Sequence, residues 1–338
     1  MRRSSVLIAI ITLYVGVAAL TSFYTFRIWG DSSPMVAQAA VLGASTDSSV
    51  LATPTPALLG PYPNQMEDSF TGYASQYAVY HVESGTYVLE GGTQGPRPIA
   101  STTKMMSAHL VAQHANLDDT VTVSHDAATQ IGSLMGIYTN EQFTVRTLLH
   151  GMLMVSGNDA AYALAGYTGG ILLGNPSAPE PDRIARFVAE MNSEAARLGM
   201  SNTHYADPAG LNDDEGHSTA SDLAKIAELL LRDPAVKDII ATPSITVWDQ
   251  AHRTPYNLDN SNRLVKGMDF PGILGVKTGN TPAAGHCLVA AASRNGQTFI
   301  VVVLDANPRA FPGVDSNNVS AVAAGRILEA AFSSVHSH

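Results

Sequence analysis

The chain has 338 residues, of which 45% are apolar and 14% are charged, so it can build a sizeable globular core. Its net charge of −10 argues against binding to nucleic acid, which usually requires a basic surface. Because Cys287 is the only cysteine, an internal disulfide and any site of the CxxC type are excluded.

The N-terminal segment predicts a membrane anchor. Two arginines precede a charge-free stretch over residues 6–26, which as a helix is long enough to cross a hydrocarbon layer of about 30 Å. These arginines outweigh Arg27 on the far side, so the N-terminus is expected in the cytoplasm. We therefore assign residues 1–30 to a cytoplasmic stub and a single transmembrane anchor, with the rest of the chain outside the cytoplasm.

A cleaved signal peptide is the alternative for this segment. Ala37-Gln38-Ala39 could serve as its cleavage site, although the apolar stretch is longer than the core of most signal peptides. Residues 31–66 follow, rich in Ser, Thr, Ala and Pro and without helical or strand periodicity, which is typical of a flexible linker. The folded domain is then expected over residues 67–335.

The domain begins and ends with strand patterns and has helical patterns between them. Residues 77–92 alternate and break at Ser84-Gly85, which predicts a β-hairpin, and residues 286–306 form two apolar runs hinged at Asn295-Gly296. Segments with apolar residues at helical spacing lie after Ser101 and at 145–155, 183–200, 218–233 and 319–332, and Thr219 with Asp222 predicts a helix cap. This order predicts an α+β fold in which both ends complete an antiparallel sheet beside a helical lobe, with a ligand cleft between them.

A serine and a lysine stand three residues apart at the head of the first helical segment, in "ASTTKMMSAHL". Ser101 and Lys104 would share one helix face, while Met105, Leu110 and Val111 anchor the helix in the core. A buried ammonium must be paired or lose its proton. The alternative is a helix-capping serine followed by a lysine that reaches solvent.

Two more motifs follow in a fixed order. Ser156-Gly157-Asn158 lies in a break after an apolar helix, and Lys277-Thr278-Gly279 lies on a predicted strand. Of the five lysines, only Lys104 has a serine three residues before it and only Lys277 is followed by Thr-Gly. The order S-x-x-K, S-x-N, K-T-G is that of serine hydrolases that react with penicillin.

With these motifs the chain resembles the low-molecular-mass D-alanyl-D-alanine carboxypeptidases, the penicillin-binding proteins of serine peptidase family S11. The resemblance covers about residues 70 to 333 and implies a β-lactamase/transpeptidase-like fold. The segments that carry it are "YAVYHVESGTYVLE", "RPIASTTKMMSAHLVA", "LLHGMLMVSGNDAAYALA", "FVAEMNSEAARLGMSNTHYADPAGL" and "GVKTGNTPAAGHCLVAAA".

The resemblance assigns Ser101 as the nucleophile and Lys104 as its base. The backbone N–H of Ser101 would stabilise the oxyanion, and the resemblance implies the N–H of Asn280 as the second donor. Lys104 must be neutral to act as a base, and both desolvation and a nearby charged Lys277 would lower its pKa. Ser156 would relay a proton to the leaving amine.

The remaining site residues are expected to bind the substrate. Asn158 would orient Lys104 and bind the substrate's amide, Lys277 and Thr278 would hold the terminal carboxylate, and Gly279 would leave room for the peptide along the strand. Arg309 is either a second carboxylate contact or a solvated side chain, and Asp159 is expected to cap the next helix. No cofactor or metal is expected, since His150, His217 and His286 lack a partner at metal-ligand spacing.

The resemblance implies cleavage of the D-Ala-D-Ala end of peptidoglycan pentapeptides through an acyl-enzyme on Ser101, with β-lactams as covalent inhibitors. A D,D-endopeptidase, a serine β-lactamase and a non-catalytic cell-wall-binding module remain alternatives. The β-lactamase is disfavoured because its E-x-x-L-N pattern would need a glutamate where Pro208 stands, before Leu211-Asn212.

Overall fold

The computed structural model describes residues 70–211 and 215–335. The predicted anchor and linker, residues 1–30 and 31–66, lie outside the described residues. Within the described ranges, no helix combines the length and apolarity that a membrane crossing requires.

The elements in chain order are β1 (Ala74–His81), β2 (Thr86–Gly92), α1 (Lys104–His114), β3 (Thr120–Thr122), α2 (His125–Ala128), β4 (Gln142–Thr144), α3 (Val145–Met154), α4 (Asn158–Leu172), α5 (Glu180–Arg197), α6 (Ala220–Arg232), α7 (Pro234–Ala241), β5 (Ser244–Trp248), β6 (Pro255–Asp259), β7 (Ile273–Thr281), β8 (Gly285–Arg294), β9 (Gln297–Ala306) and α8 (Val319–Val335).

The main sheet is antiparallel and is built by the two ends of the domain, as predicted. Its strand order is β2-β1-β9-β8-β7, so the N-terminal hairpin joins the C-terminal strands through the β1–β9 pair, in which Ala78 lies opposite Val302. The two predicted hairpins are confirmed. Asn295 and Gly296 both have positive φ, 52° and 76°, as the two-residue turn between β8 and β9 requires.

The sheet is buried on both faces because helices cover both. Successive residues of β9 alternate between two hydrophobic clusters: Val301 packs with α8 on one face, and Val302 packs with the helical lobe on the other. This explains why β8 and β9 have continuous apolar sequences rather than alternating ones. The edge strand β7 faces the helical lobe and bounds the cleft.

Helix α1 lies at the centre of the helical lobe. Its residues from Lys104 to Val111 are all buried, and it contacts α3, α4, α5 and α6. The predicted cap of α6 is confirmed, because Thr219 Oγ1 accepts a hydrogen bond from the N–H of Asp222 at 3.2 Å. The sequence patterns did not identify the small sheets β3–β4 and β5–β6, whose strands of three to five residues are too short for a clear period.

Candidate active site

Ser101 lies in a tight turn that leads into α1. Residues Ala100–Thr103 form a 3₁₀ turn and the α-helix begins at Lys104, so Ser101 stands one turn before the observed helix and not at the helix N-terminus, where it was predicted. In a 3₁₀ turn, side chains three residues apart lie above one another, so the Ser101–Lys104 spacing still brings them together. Ala100 has φ +48°, a strained value for a residue with a side chain.

The amine of Lys104 is completely buried, which contradicts the alternative of a solvated lysine. Its Nζ lies 2.8 Å from Ser101 Oγ, 2.7 Å from Asn158 Oδ1 and 2.7 Å from the carbonyl oxygen of Ala209. The serine is not a helix cap, because no side chain caps the N-terminus of α1. The Ser101–Lys104 pair therefore forms a contact in which a buried amine faces the serine hydroxyl.

The three partners of Lys104 determine where a neutral amine would point its lone pair. The Ala209 carbonyl only accepts, and Asn158 Oδ1 also accepts because the Asn158 amide nitrogen donates to the Ile131 carbonyl. A neutral amine has two N–H donors, and these two acceptors use both. The lone pair is then left for Ser101 Oγ, whose hydroxyl can donate.

Burial favours the neutral form of Lys104. Desolvation lowers its pKa well below the ordinary lysine value, and the nearby Lys277 lowers it further. The carboxylates of Asp207 and Asp159 act in the opposite direction. Burial also lowers the pKa of Lys277, to about 7. Burial thus favours the neutral form of both lysines, and the charge of Lys277 adds to this effect at Lys104.

Ser156-Gly157-Asn158 forms the sharp turn between α3 and α4. Ser156 has φ +63°, and the turn is held by hydrogen bonds from Gly157 N to Gly151 O and from Asn158 N to Ser133 O. Strain of this kind persists where the surrounding structure fixes it and is frequent at active sites. It places Ser156 in the cleft and Asn158 beneath it, against Lys104.

Asp159 does not cap α4, contrary to the prediction; Gly157 occupies the cap position. The buried carboxylate of Asp159 lies inside the first turn of α4, where Oδ1 accepts from the N–H of Ala160, and it also accepts hydrogen bonds from the backbone N–H groups of Met135, Gly136 and Ile137 in the loop before β4. This loop also supplies the carbonyl groups that bind Asn158. The position of Asp159 near a helix start suggested a cap, but its buried carboxylate mainly pairs with backbone N–H groups of the loop, which would otherwise be unpaired.

Strand β7 carries the third motif along the other wall. Lys277 is buried and donates to the Thr278 carbonyl at 2.9 Å, while Thr278 Oγ1 lies 2.7 Å from Ser261 Oγ in the cleft. Gly279 passes close to the backbone of residues 99–102. Only a residue without a Cβ allows this approach, which brings the strand beside Ser101.

The three motifs meet at a cleft of about 440 Å³. Ser101, Ser156, Thr278, Gly279 and Asn280 line it, together with other polar residues that include Ser133, Ser261, Arg263 and His286. Lys104, Asn158 and Lys277 lie buried around these residues. The hydroxyl groups are thus exposed to a ligand, whereas the amines are shielded from water.

Arg309 does not line this cleft; it is exposed in a short turn after β9. His286 lies at the cleft wall, opposite Asn280 in the β7–β8 register, while His150 and His217 bond to backbone carbonyls elsewhere. Among the described residues, no group of three or more His, Cys, Asp or Glu is placed to hold a metal ion.

Ala209, Asp207 and Ser261 also belong to the site, although they were not predicted from the sequence. The role of Ala209 depends on its backbone oxygen, which no side-chain motif reveals. Asp207 opens the segment Asp-Pro-Ala-Gly, which is a recognisable turn signal and could have drawn attention to the loop. Ser261 contacts Thr278 only because the chain between β6 and β7 returns to the cleft.

With this geometry established, the comparison with known proteins is decisive. Residues 64–308 match the D-alanyl-D-alanine carboxypeptidase family, peptidase S11. The chain belongs to this family. The match extends over all three motifs and both ends of the main sheet.

Individual relatives of the S11 family agree. The D-alanyl-D-alanine carboxypeptidase of Streptomyces sp. strain K15 is 33% identical over 231 residues, which is 65% of this chain and 77% of the relative. The carboxypeptidase DacB2 of Mycobacterium tuberculosis is 34% identical over 242 residues, 69% of this chain and 75% of the relative. The crystal structure of the Streptomyces K15 DD-transpeptidase superposes with a TM-score of 0.68 and 29% identity, covering 77% of this chain and 97% of that one.

A larger groove of about 790 Å³ lies away from these residues. It runs between α4 and α5 and is lined by Tyr162, Ile184, Val188 and others, with none of the three motifs among them. Its size exceeds that of the catalytic cleft, but it lacks a nucleophile beside a base. Size alone therefore does not identify the reactive site of this S11 member.

Proposed function

We propose that this protein is a serine-type D-Ala-D-Ala carboxypeptidase that trims peptidoglycan pentapeptides through an acyl-enzyme on Ser101. The observation that supports this most directly is the environment of Lys104. Two acceptor-only partners take its N–H groups and leave its lone pair for the Ser101 hydroxyl. This is the arrangement of a nucleophile activated by a buried, neutral amine.

Acylation begins when Ser101 Oγ attacks the carbonyl carbon of the penultimate D-alanine and its proton passes to Lys104 Nζ. The oxyanion would lie between the backbone N–H groups of Ser101 and Asn280; the close approach of Gly279, the neighbour of Asn280, to Ser101 supports this placement. The C–N bond then breaks, and the leaving amine of the last D-alanine takes a proton. Ser156, which lines the cleft with Ser101, is the proposed relay for that proton.

The free carboxylate of the substrate would be recognised by Lys277 and Thr278. A buried lysine whose pKa is lowered to about 7 becomes a strong partner once an anion binds beside it, because the anion favours the charged form. Thr278 adds a hydroxyl that Ser261 orients from 2.7 Å. Asn158 would bind the substrate's amide in addition to orienting Lys104.

Water then hydrolyses the acyl-enzyme, with Lys104 again accepting the proton. We expect hydrolysed β-lactam to be released slowly, since no carboxylate stands at position 208 to activate water as in the β-lactamase pattern. The Asp207 carboxylate nearby is occupied by backbone N–H groups of residues 209–211. The charge-free stretch at 6–26 supports a location on the outer face of the cell membrane.

The test combines product analysis with mass spectrometry. The wild type should release D-alanine from a pentapeptide ending in D-Ala-D-Ala and should gain the mass of one penicillin, and Ser101→Ala should do neither. Ser84→Ala is a matched control, because this serine lies in the β1–β2 turn, where its Oγ bonds to His81 and Thr86, away from the cleft.

The outcomes separate the alternatives. Absence of both penicillin labelling and D-alanine release in the wild type would indicate a non-catalytic module, and cleavage of cross-linked dimers in preference to pentapeptides would indicate an endopeptidase. Penicillin turnover faster than about one per second would indicate a β-lactamase. Equal labelling of the wild type and Ser101→Ala would refute the assignment of the nucleophile.

A further inference from the structure

The carbonyl of Ala209 belongs to a turn that the buried carboxylate of Asp207 holds through several hydrogen bonds, while Ser107 Oγ donates to the Pro208 carbonyl of the same turn. Asp207 Oδ1 accepts hydrogen bonds from the N–H groups of Ala209 and Gly210, each at 2.7 Å, and from Leu211 at 3.3 Å. Its second oxygen lies 3.0 Å from Leu211 N. With the N–H of Ala209 bound to Asp207, the carbonyl of the same residue is directed at Lys104, 2.7 Å from Nζ.

We propose that Asp207 is a positioning residue for the general base. Its carboxylate fixes the turn that presents the Ala209 carbonyl to Lys104, and its negative charge interacts electrostatically with that amine. The inference rests on the proposed function, since it assumes that Lys104 serves as the base. Asp207 itself does not touch the reacting atoms; it acts through the turn and through its charge.

The position of the Ala209 carbonyl matters because it decides which partner faces the lone pair. If this carbonyl moved away, the amine could rotate and donate a hydrogen to Ser101 Oγ, and its lone pair would no longer face the hydroxyl. The Asp207–Leu211 turn also contacts the 3₁₀ turn that contains Ser101, because Gly210 packs against the carbonyl of Ala100. Displacement of this turn would therefore change the positions of both Lys104 and Ser101.

The negative charge of Asp207 changes the pKa of Lys104 in a defined direction. Lys277 and burial lower the pKa of Lys104, whereas Asp207 and Asp159 raise it. Tyr162 of α4 lies on the Asp207 side, and burial together with that carboxylate raises the pKa of its phenol to about 12, so this tyrosine stays neutral throughout the assay range. Removal of the Asp207 charge should thus lower the pKa of Lys104.

Two substitutions separate the effects of geometry and charge. Asp207→Asn keeps an oxygen that can accept from Ala209 and Gly210, so the turn should persist without the charge. Asp207→Ala removes both the hydrogen-bond acceptor and the charge. The readout is the pH dependence of the second-order rate of acylation by a penicillin, together with the melting temperature of each full-length variant.

For Asp207→Asn we expect acylation near pH 7 within a few-fold of the wild type and an acid limb that moves to lower pH by about one unit. For Asp207→Ala we expect a rate at least about ten-fold lower. Asp249→Asn is the matched control, because Asp249 is also buried and binds the backbone N–H groups of Arg253 and Thr254 in a turn, but in the β5–β6 hairpin. Its acid limb should coincide with that of the wild type.

An acid limb of Asp207→Asn that coincides with the wild type would overturn the proposal, even if Asp207→Ala fails to fold. A wild-type rate in a folded Asp207→Ala would overturn it as well. Neither result would affect the proposed function, which is tested separately by D-alanine release and by acylation of Ser101 in the wild type.

Discussion

Gly279 of β7 lies directly against the backbone of Ser101, since a Cβ on Gly279 would stand 3.2 Å from the amide nitrogen of Ser101 and 2.9 Å from the carbonyl of Ile99. Gly279→Ala should therefore push the strand away from the turn and separate the two oxyanion donors. Loss of one such donor typically costs about 10²-fold or more in rate. The measurement is the rate of penicillin acylation.

The control for this substitution is Gly95→Ala, which is expected to leave acylation unchanged. Gly95 also stands in the described domain, and a Cβ there would meet no atom within 4 Å, although its φ of +90° adds strain. An unchanged acylation rate in Gly279→Ala would contradict the close approach described here.

Ser156→Gly should separate catalysis from stability. The substitution removes the hydroxyl that we propose as the proton relay, so D-alanine release should fall by about 10²-fold or more. Ser156 has φ +63°, a backbone conformation that glycine adopts without strain. The free energy of unfolding should therefore be unchanged or should rise by about 1 kcal/mol. Chemical denaturation and an assay of released D-alanine measure the two quantities.

Asn295→Gly is the matched control, since Asn295 has φ +52° in the β8–β9 turn, outside the cleft. Its activity should equal that of the wild type. A full rate of D-alanine release in Ser156→Gly would show that another group carries the proton.

The pH dependence of D-alanine release should reflect both lysines. Activity should rise with pH as Lys104 becomes neutral, well below the ordinary lysine pKa, and kcat/KM should fall as the free enzyme's Lys277 loses its proton, with a pKa of about 7. A bound carboxylate raises the pKa of Lys277, so the basic limb of kcat should lie at higher pH than that of kcat/KM.

A substrate with a C-terminal amide supplies the control for this pH profile. It has no carboxylate for Lys277 to bind, so its kcat/KM should lack the basic limb. Coincident basic limbs for kcat and kcat/KM with the acid substrate would speak against Lys277 as the carboxylate partner.

Gly210→Ala should be far more damaging than an ordinary glycine substitution. A Cβ on Gly210 would lie 2.0 Å from the Ala100 carbonyl oxygen, in addition to the strain of φ +77°. We expect the free energy of unfolding to fall by at least about 2 kcal/mol and acylation to slow. Gly174→Ala, with φ +63° and no atom within 4 Å, should show only the backbone strain. Equal destabilisation of the two variants would mean that the turn can move aside freely.

Much of the site was predictable because its chemistry depends on side chains at fixed spacing. The pairing of Ser101 with Lys104 and the position of Lys277 on a strand follow from local periodicity, and the two hairpins follow from Ser84-Gly85 and Asn295-Gly296. The acceptor role of Ala209 could not be predicted, because it depends on a backbone oxygen that comes to Lys104 only through the tertiary fold. Asp159 was misjudged for a related reason: its partners belong to a loop more than twenty residues earlier in the chain.

The pairing of β1 with β9 has a consequence for how the protein reaches its native state. Ala74 and Ala306, which stand near opposite ends of the described range, are neighbours in the sheet. Contacts between such distant residues require closure of a very long loop, which slows folding compared with a protein of local contacts. A nascent chain cannot complete its sheet until β9 has been synthesised, so a premature stop before β9 would leave the first hairpin without a neighbour and prone to aggregate.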